Sequence, residues 1–287
     1  MPELPEVETT KSSLAPLLGQ QLVDIRVFQP KLRWPIPDDL SDLIGYTLHD
    51  VERRAKYLIV TFLPTLATFT ARKLIIHLGM SGSLQQYPLD TDKRKHDHVV
   101  MSFSNADGII TQLHYHDPRR FGAVLWHMQY SDKLLEHLGP EPLSSDFTAD
   151  YLYSLIQRTN SLNKRPIIRP IKSVIMEQQI VVGVGNIYAT ECLYLTGIHP
   201  ATPSSELSYK QITELVVHIK AILRRAIELG GSTLRDFTVA SGQTGYFQQT
   251  LNVYGKQGEP CPYCATTLDN IKLNGRASVY CPNCQTL

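Results

Sequence analysis

The sequence predicts an α+β chain: an antiparallel β-sandwich or flattened barrel with a flanking helix, then a helical domain, then a hairpin folded around zinc. Three observations predict it. Short β-like runs fill the first half with no long helical pattern between them. Beyond residue 148 the apolar spacing becomes helical. Four of the five cysteines crowd into the last 27 residues as Cys-x2-Cys-x16-Cys-x2-Cys.

Near the start, Val7, Leu14, Leu17 and Leu18 recur at helical spacing, with Pro5 placed to open the helix and Gly19 to end it. The β-like runs are Leu22–Phe28, Thr47–Arg54, Tyr57–Phe62, Leu74–Leu78, Val99–Phe103, Gly108–His114 and Ala123–Trp126. They assign residues 1–137 to the sandwich, and residues 138–148 to a linker rich in Pro and Ser. Residues 149–257 form the helical domain. A short helix over roughly Ile171–Gln179 leads through Val-Val-Gly-Val-Gly to a second from Asn186 to Leu195. The clearest helix is Tyr209–Leu229, where Ile212, Leu215, Val216, Ile219, Leu223 and Ile227 make a stripe and Gly230 caps the end.

Residues 258–287 form the metal module. A two-residue gap turns adjacent thiolates onto one ion, so Cys261, Cys264, Cys281 and Cys284 make a closed four-sulfur zinc site. Two disulfides are the alternative, disfavoured in a reducing compartment. Asn274–Gly275 is the dipeptide of a tight primed turn, and Arg276 follows at its tip. Cys192 remains as a buried small hydrophobe.

At 287 residues and 32.4 kDa the chain is long enough for two domains and an appendix. Residues 1–149 hold 15 Lys/Arg against 18 Asp/Glu, and residues 150–287 hold 13 against 9. The positive field therefore lies in the second half, which permits a polyanion partner without requiring one. No run of 18 apolar residues exists, and the start MPELPEVETT is acidic and proline-rich. A membrane span and a signal peptide are not expected, and the cytoplasm is.

Several residues could carry chemistry. Trimming of Met1 would expose Pro2 as a secondary amine, either without a role or as a nucleophile toward a sugar carbon. With an ordinary terminal pKa of about 7.7–8.0 such an amine is partly unprotonated near neutrality. Glu3 is adjacent for proton transfer, and Glu6 sits on the same helix mouth. Lys56 reads as a solvated strand edge, a phosphate contact or a proton donor. Met80, between turn glycines, is core filler or a wedge into a base stack. Arg119 and Phe121 pair a cationic fork with an aromatic at a turn, for stacking or merely for a salt bridge. Lys164, Arg165, Arg169 and Lys172 approach the Gly183–Gly185 turn, which is a phosphate cradle or an ordinary helical hairpin.

Taken together and in order, the motifs MPELPEVE, Arg53–Tyr57, HLGMSG, Lys95–His98, DPRRFG, VGVGNIY and the paired cysteine knuckles resemble bacterial formamidopyrimidine-DNA glycosylases over essentially the whole chain. The resemblance implies a monomeric, bifunctional repair enzyme. It would remove oxidised purines from double-stranded DNA and cleave the abasic site by β,δ-elimination through a Pro2 iminium, with one structural zinc. It makes Pro2 the nucleophile and Glu3 the acid/base group, with Lys56 and Arg276 at phosphates beside the lesion completing the catalytic set. Glu6 would support the damaged nucleotide, and His98 would touch the backbone. Met80, Arg119 and Phe121 would fill the gap left by the everted base. Lys172 and Asn186 would clamp the backbone from a helix–two-turn–helix. Gly230–Leu234 leads toward the family's loop over the everted base. Ser173-Val174 departs from the Pro-Trp the family often carries after this lysine. The related endonuclease for oxidised pyrimidines, and a DNA-binding module without catalysis, are the alternatives. The run Pro64–Lys73 has no functional reading.

Overall fold

The computed structural model describes residues 2–65, 70–159, 164–231 and 251–287. They cluster into two compact units. One holds the chain up to His137 together with residues 229–231, and the other holds Leu138–Glu228 with residues 251–287.

In the first unit, helix α1 (Leu4–Ser13) opens with a capping box. Glu6 accepts the backbone N–H of Glu3, whose carboxylate in turn caps the backbone of the third helical residue. Pro5 occupies the first turn, where its missing N–H costs nothing. A 3-10 turn, Ala15–Leu17, follows. Eight strands come next: β1 (Gln21–Val27), β2 (Tyr46–Arg54), β3 (Tyr57–Pro64), β4 (Arg72–His77), β5 (Ser83–Pro88), β6 (Asp97–Ser104), β7 (Ile110–His116) and β8 (Ala123–Trp126). All pairings are antiparallel, in the order β5-β7-β6-β1-β2-β3-β4-β8.

Between β1 and β2 the ladder narrows to a single pair, Gln21 with Thr47. The order therefore divides into two four-stranded layers that share one apolar core. Leu22, Phe103 and Tyr115 enter it from one layer, and Leu58, Phe62 and Leu74 from the other. Strand β5 and a helix α2 (His127–Leu135) were not foreseen from the sequence.

The second unit begins with the stretch read as a linker, which is irregular but packed. Gly139 donates its N–H to the Gln178 carbonyl at 2.8 Å, and Phe147 is fully buried. Helix α3 (Ala149–Gln157) is capped by the Thr148 hydroxyl, which accepts the Tyr151 N–H at 3.0 Å. Helix α4 (Ile171–Ile175) is shorter than expected. Beyond it the chain turns, and the Gln178 side-chain oxygen accepts the Gly183 N–H at 2.9 Å. Helix α5 (Asn186–Leu195) starts after Gly185, and α6 (Tyr209–Glu228) buries the predicted stripe as far as Leu223. No described helix is long and apolar enough to cross a membrane.

Glu191 of α5 is fully buried and fixes the returning chain. One oxygen accepts the N–H groups of Val253 (2.9 Å) and Tyr254 (2.7 Å). The other accepts the backbone and side-chain N–H of Asn252, at 2.8 and 2.9 Å. In Glu191→Gln an amide nitrogen would face two of these donors. We expect the urea midpoint of this unit to fall by an amount worth about 2–4 kcal/mol, measured on the variant beside the wild type.

The terminal hairpin pairs β9 (Asp269–Leu273) with β10 (Arg276–Tyr280). Both turn residues have positive φ, Asn274 at 48° and Gly275 at 78°, as a primed turn requires. Arg276 is thus the first strand residue, opposite Leu273.

Candidate catalytic and nucleic-acid-binding site

At the mouth of α1, Pro2, Glu3 and Glu6 are all buried. The Glu3 N–H lies 2.8 Å from the Glu6 carboxylate, so the two acids beside Pro2 are held by one reciprocal arrangement. Gly231 closes over Glu6. A Cβ there would stand 3.3 Å from both Cγ and Oε1 of Glu6, at a φ of +80°. The family's loop over the everted base, from residue 232 onward, lies outside the described residues, as do residues 66–69 of Pro64–Lys73.

One turn further along α1, Glu8 accepts from the Arg53 guanidinium at 2.6 Å, and Arg53 also donates to the Ala55 carbonyl at 3.0 Å. Burial alone would raise the Glu8 carboxyl, but hydrogen bonds and charge from Lys11 and Arg53 hold it below its ordinary range. This pair ties α1 to the β2–β3 hairpin tip, where Ala55 (φ +55°) turns the chain into Lys56.

His77, at the end of β4, received no role from the sequence, yet it belongs to this group. Burial lowers its pKa to about 4, helped by the nearby charges of Lys56 and Arg33. It is therefore neutral at pH 7, and its Nδ1 accepts the Gly79 N–H at 3.1 Å. The proton then sits on Nε2, a donor beside Lys56. Its position at a strand end before a Gly-flanked turn was the available signal.

Met80, Arg119 and Phe121 come together on two loops. Arg119 Nη1 is 3.9 Å from the Met80 sulfur, and Met80 and Phe121 are 40% and 48% exposed. The loops touch backbone to backbone, since a Cβ on Gly79 would stand 2.5 Å from the Gly122 nitrogen. Buried Asp117 joins them, accepting the Ser81 hydroxyl at 3.2 Å and the Gly122 N–H at 2.8 Å.

Two expected backbone contacts are placed differently. His98 is 6% exposed, and its Nε2 donates to the Asp117 carbonyl at 2.8 Å, so it braces the loop that carries Arg119 and Phe121 instead of facing solvent. Lys172 is 2% exposed, and its ammonium donates to the Ala277 carbonyl (3.0 Å) and the Ser278 hydroxyl (2.7 Å) of the hairpin. A cation so enclosed is not a surface phosphate ligand. Asn186 stands in the first turn of α5, and its enclosed Oδ1 has no partner among the described residues. Arg276 is exposed and borders a cleft of about 160 Å³ with Ser173, Met176 and Asn274.

The sulfur atoms of Cys261, Cys264, Cys281 and Cys284 lie within 4.8 Å of one another. Their resolved separations are 3.3, 3.4 and 4.0 Å. Four zinc–sulfur bonds of about 2.3 Å put tetrahedral sulfurs roughly 3.8 Å apart, so the cage fits a zinc with no position left for water. The Tyr194 hydroxyl, 3.3 Å from the Cys261 sulfur, supports one ligand from α5.

Family models match most of this chain. They are the formamidopyrimidine-DNA glycosylase N-terminal domain over residues 1–124, the H2TH domain of the same enzymes over 138–238, and a zinc finger found in FPG and IleRS over 258–287. A Psychrobacter arcticus protein named formamidopyrimidine-DNA glycosylase is 67% identical, across 100% of this chain and 99% of its own length. One from Acinetobacter baylyi is 54% identical, with the same coverage of each. Among solved structures, Lactococcus lactis Fpg in complex with abasic-site DNA matches with a TM-score of 0.85 and 35% identity, over 99% of this chain and 100% of that one. A variant of that protein bound to Fapy-dG-containing DNA matches at 0.86, also at 35% identity, over 100% of both chains. Sandwich, helix pair and finger together define a DNA glycosylase. The chain belongs to the formamidopyrimidine-DNA glycosylase family, and it is an enzyme with glycosylase and abasic-site lyase activity.

Proposed function

We propose that the chain excises oxidised purines, 8-oxoguanine and formamidopyrimidines, from duplex DNA and cleaves the resulting abasic site by β,δ-elimination. The observation that carries this is the N-terminal Pro2 set against Glu3 and Glu6, two acids locked together by the capping box. With Met1 removed, the Pro2 amine attacks C1′ and gives up its proton as the glycosidic bond breaks and the base leaves protonated. The C1′–O4′ bond then breaks, O4′ takes a proton, and the opened sugar is joined to Pro2 as an iminium. The resulting iminium acidifies the C2′ hydrogens. Loss of one expels the 3′ phosphate, and a second elimination expels the 5′ phosphate. Glu3 delivers the proton to O4′ and removes one from C2′, while Glu6 supports the nucleotide and orients Glu3. Lys56 and Arg276 hold flanking phosphates, and Asn186 holds another at the start of α5. Met80, Arg119 and Phe121 fill the vacated stack, offsetting part of an unstacking cost of a few kcal/mol. Zinc braces the finger and takes no part in the chemistry. The enzyme works as a monomer in the bacterial cytoplasm.

The test is a panel of single-lesion duplexes with borohydride added. It should include an oxidised pyrimidine, because one solved relative, Lactococcus lactis Fpg, is a complex with DNA containing such a base. Excision of the oxidised purines, with a borohydride-stable adduct mapped to Pro2, is the expected result. Action on the pyrimidine alone would move the chain to the endonuclease branch. Binding without a trapped adduct would reduce it to a DNA-binding module.

A further inference from the structure

Arg276 is bracketed by anchors that come from α4. On one side, the Asn274 side-chain N–H donates to the Ser173 hydroxyl at 2.9 Å. On the other, the Lys172 ammonium donates to the Ala277 carbonyl at 3.0 Å and the Ser278 hydroxyl at 2.7 Å. Ser278 is itself fully buried, and its N–H is held by the Asn270 side chain at 2.8 Å across the ladder. The hairpin is thus fixed on both sides of Arg276, at Asn274 and at Ala277–Ser278, to consecutive positions of one helix.

We propose that Lys172 and Ser173 are positioning residues that latch the hairpin to α4 and aim Arg276, and that Lys172 holds no phosphate itself. The proposal rests on the phosphate grip assigned to Arg276. A planar guanidinium gripping a phosphate with two parallel hydrogen bonds tolerates little rotation of its backbone, so an anchor on each side has a direct effect on that grip. The charge on Lys172 serves the hairpin because its ammonium donates to two acceptors there, one of them a buried hydroxyl that solvent does not compete for.

The test measures lesion-duplex affinity against salt, with zinc content assayed on every variant. Lys172→Met should weaken binding on the order of tenfold and lower the salt slope by about one phosphate's worth. Arg276→Ala should do the same, and the double variant should lose no more slope than either single one. A double variant whose slope falls by about two phosphates' worth would make Lys172 an independent phosphate ligand and overturn the latch. Ser173→Ala and Asn274→Gly, the latter keeping the turn's positive φ, should each weaken binding roughly two- to fivefold and be non-additive together. These two changes leave the buried lysine in place, so they decide the matter even if Lys172→Met loses zinc. Unchanged binding in both overturns the latch. Arg276→Ala with unaltered affinity and slope would instead overturn the phosphate grip itself, while leaving the effects of Ser173→Ala and Asn274→Gly to be read separately.

Discussion

Pro2→Gly is expected to cut base excision and strand cleavage by on the order of 10²–10⁴-fold while duplex binding stays close to wild type. Glycine keeps a terminal amine but loses the ring that makes it secondary, and with it the iminium that stays charged at every pH. Binding should survive, because the Met80 and Arg119–Phe121 loops and the finger lie on other elements and the capping box needs only the backbone and side chains of Glu3 and Glu6. Retention of Met1 should act in the same way by converting the amine to an amide. Single-turnover rates and borohydride trapping on abasic-site DNA measure both. Wild-type turnover by a preparation that mass spectrometry shows to be uniformly Met1-retained would end the nucleophile assignment.

The second large effect is expected at the metal. Cys261→Ser should release zinc, disorder the hairpin and reduce specific DNA binding by roughly 10³-fold, toward the non-specific level. The finger's buried core amounts to Val253, Leu268 and Val279 with two of the cysteines themselves, Cys261 and Cys281. So little apolar surface cannot hold a hairpin without the ion, since structural zinc contributes on the order of 10 kcal/mol to folding modules of this size. The first unit has its own core and should keep its fold. Zinc content, circular dichroism and lesion-duplex titration of the variant test this together. A variant that lost zinc but bound the lesion duplex normally would show the finger to be dispensable for recognition.

Much of the architecture was legible in the sequence because the deciding interactions are local or periodic. The stripe of α6, the primed turn at Asn274–Gly275 and the cysteine knuckles are fixed within a few residues of themselves. Strand β5 escaped because it gives the apolar core only Leu84, while Ser83 and Gln85, on its other face, are polar although buried. The Gln85 oxygen accepts from Arg94 at 2.6 Å. Helix α2 escaped because Trp126 precedes it with no capping side chain to announce a start. At the candidate site, the MPELPEVE, HLGMSG and DPRRFG motifs pointed to residues that the fold does group, Glu3 with Glu6 and Met80 with Arg119. Lys172 could not be placed. In a basic run a lysine reads as a solvated cation, and only a serine 106 residues later shows where its charge is held. His98 failed for the same reason, its partner being a carbonyl 19 residues away across a β-pair.

Asp117 bears on how strongly the proposed wedge of Met80, Arg119 and Phe121 would bind. Confining one residue's backbone costs about 1–2 kcal/mol in lost conformational entropy. For the Met80 loop and the Arg119–Phe121 loop that loss occurs when the first unit folds, because one buried carboxylate holds Ser81 and Gly122 together. On meeting a duplex, what remains to be immobilised is three exposed side chains, at no more than about 2 kcal/mol each. If these three side chains fill the gap as proposed, the backbone of both loops adds little further cost on binding, and what they gain there is offset chiefly by their own ordering.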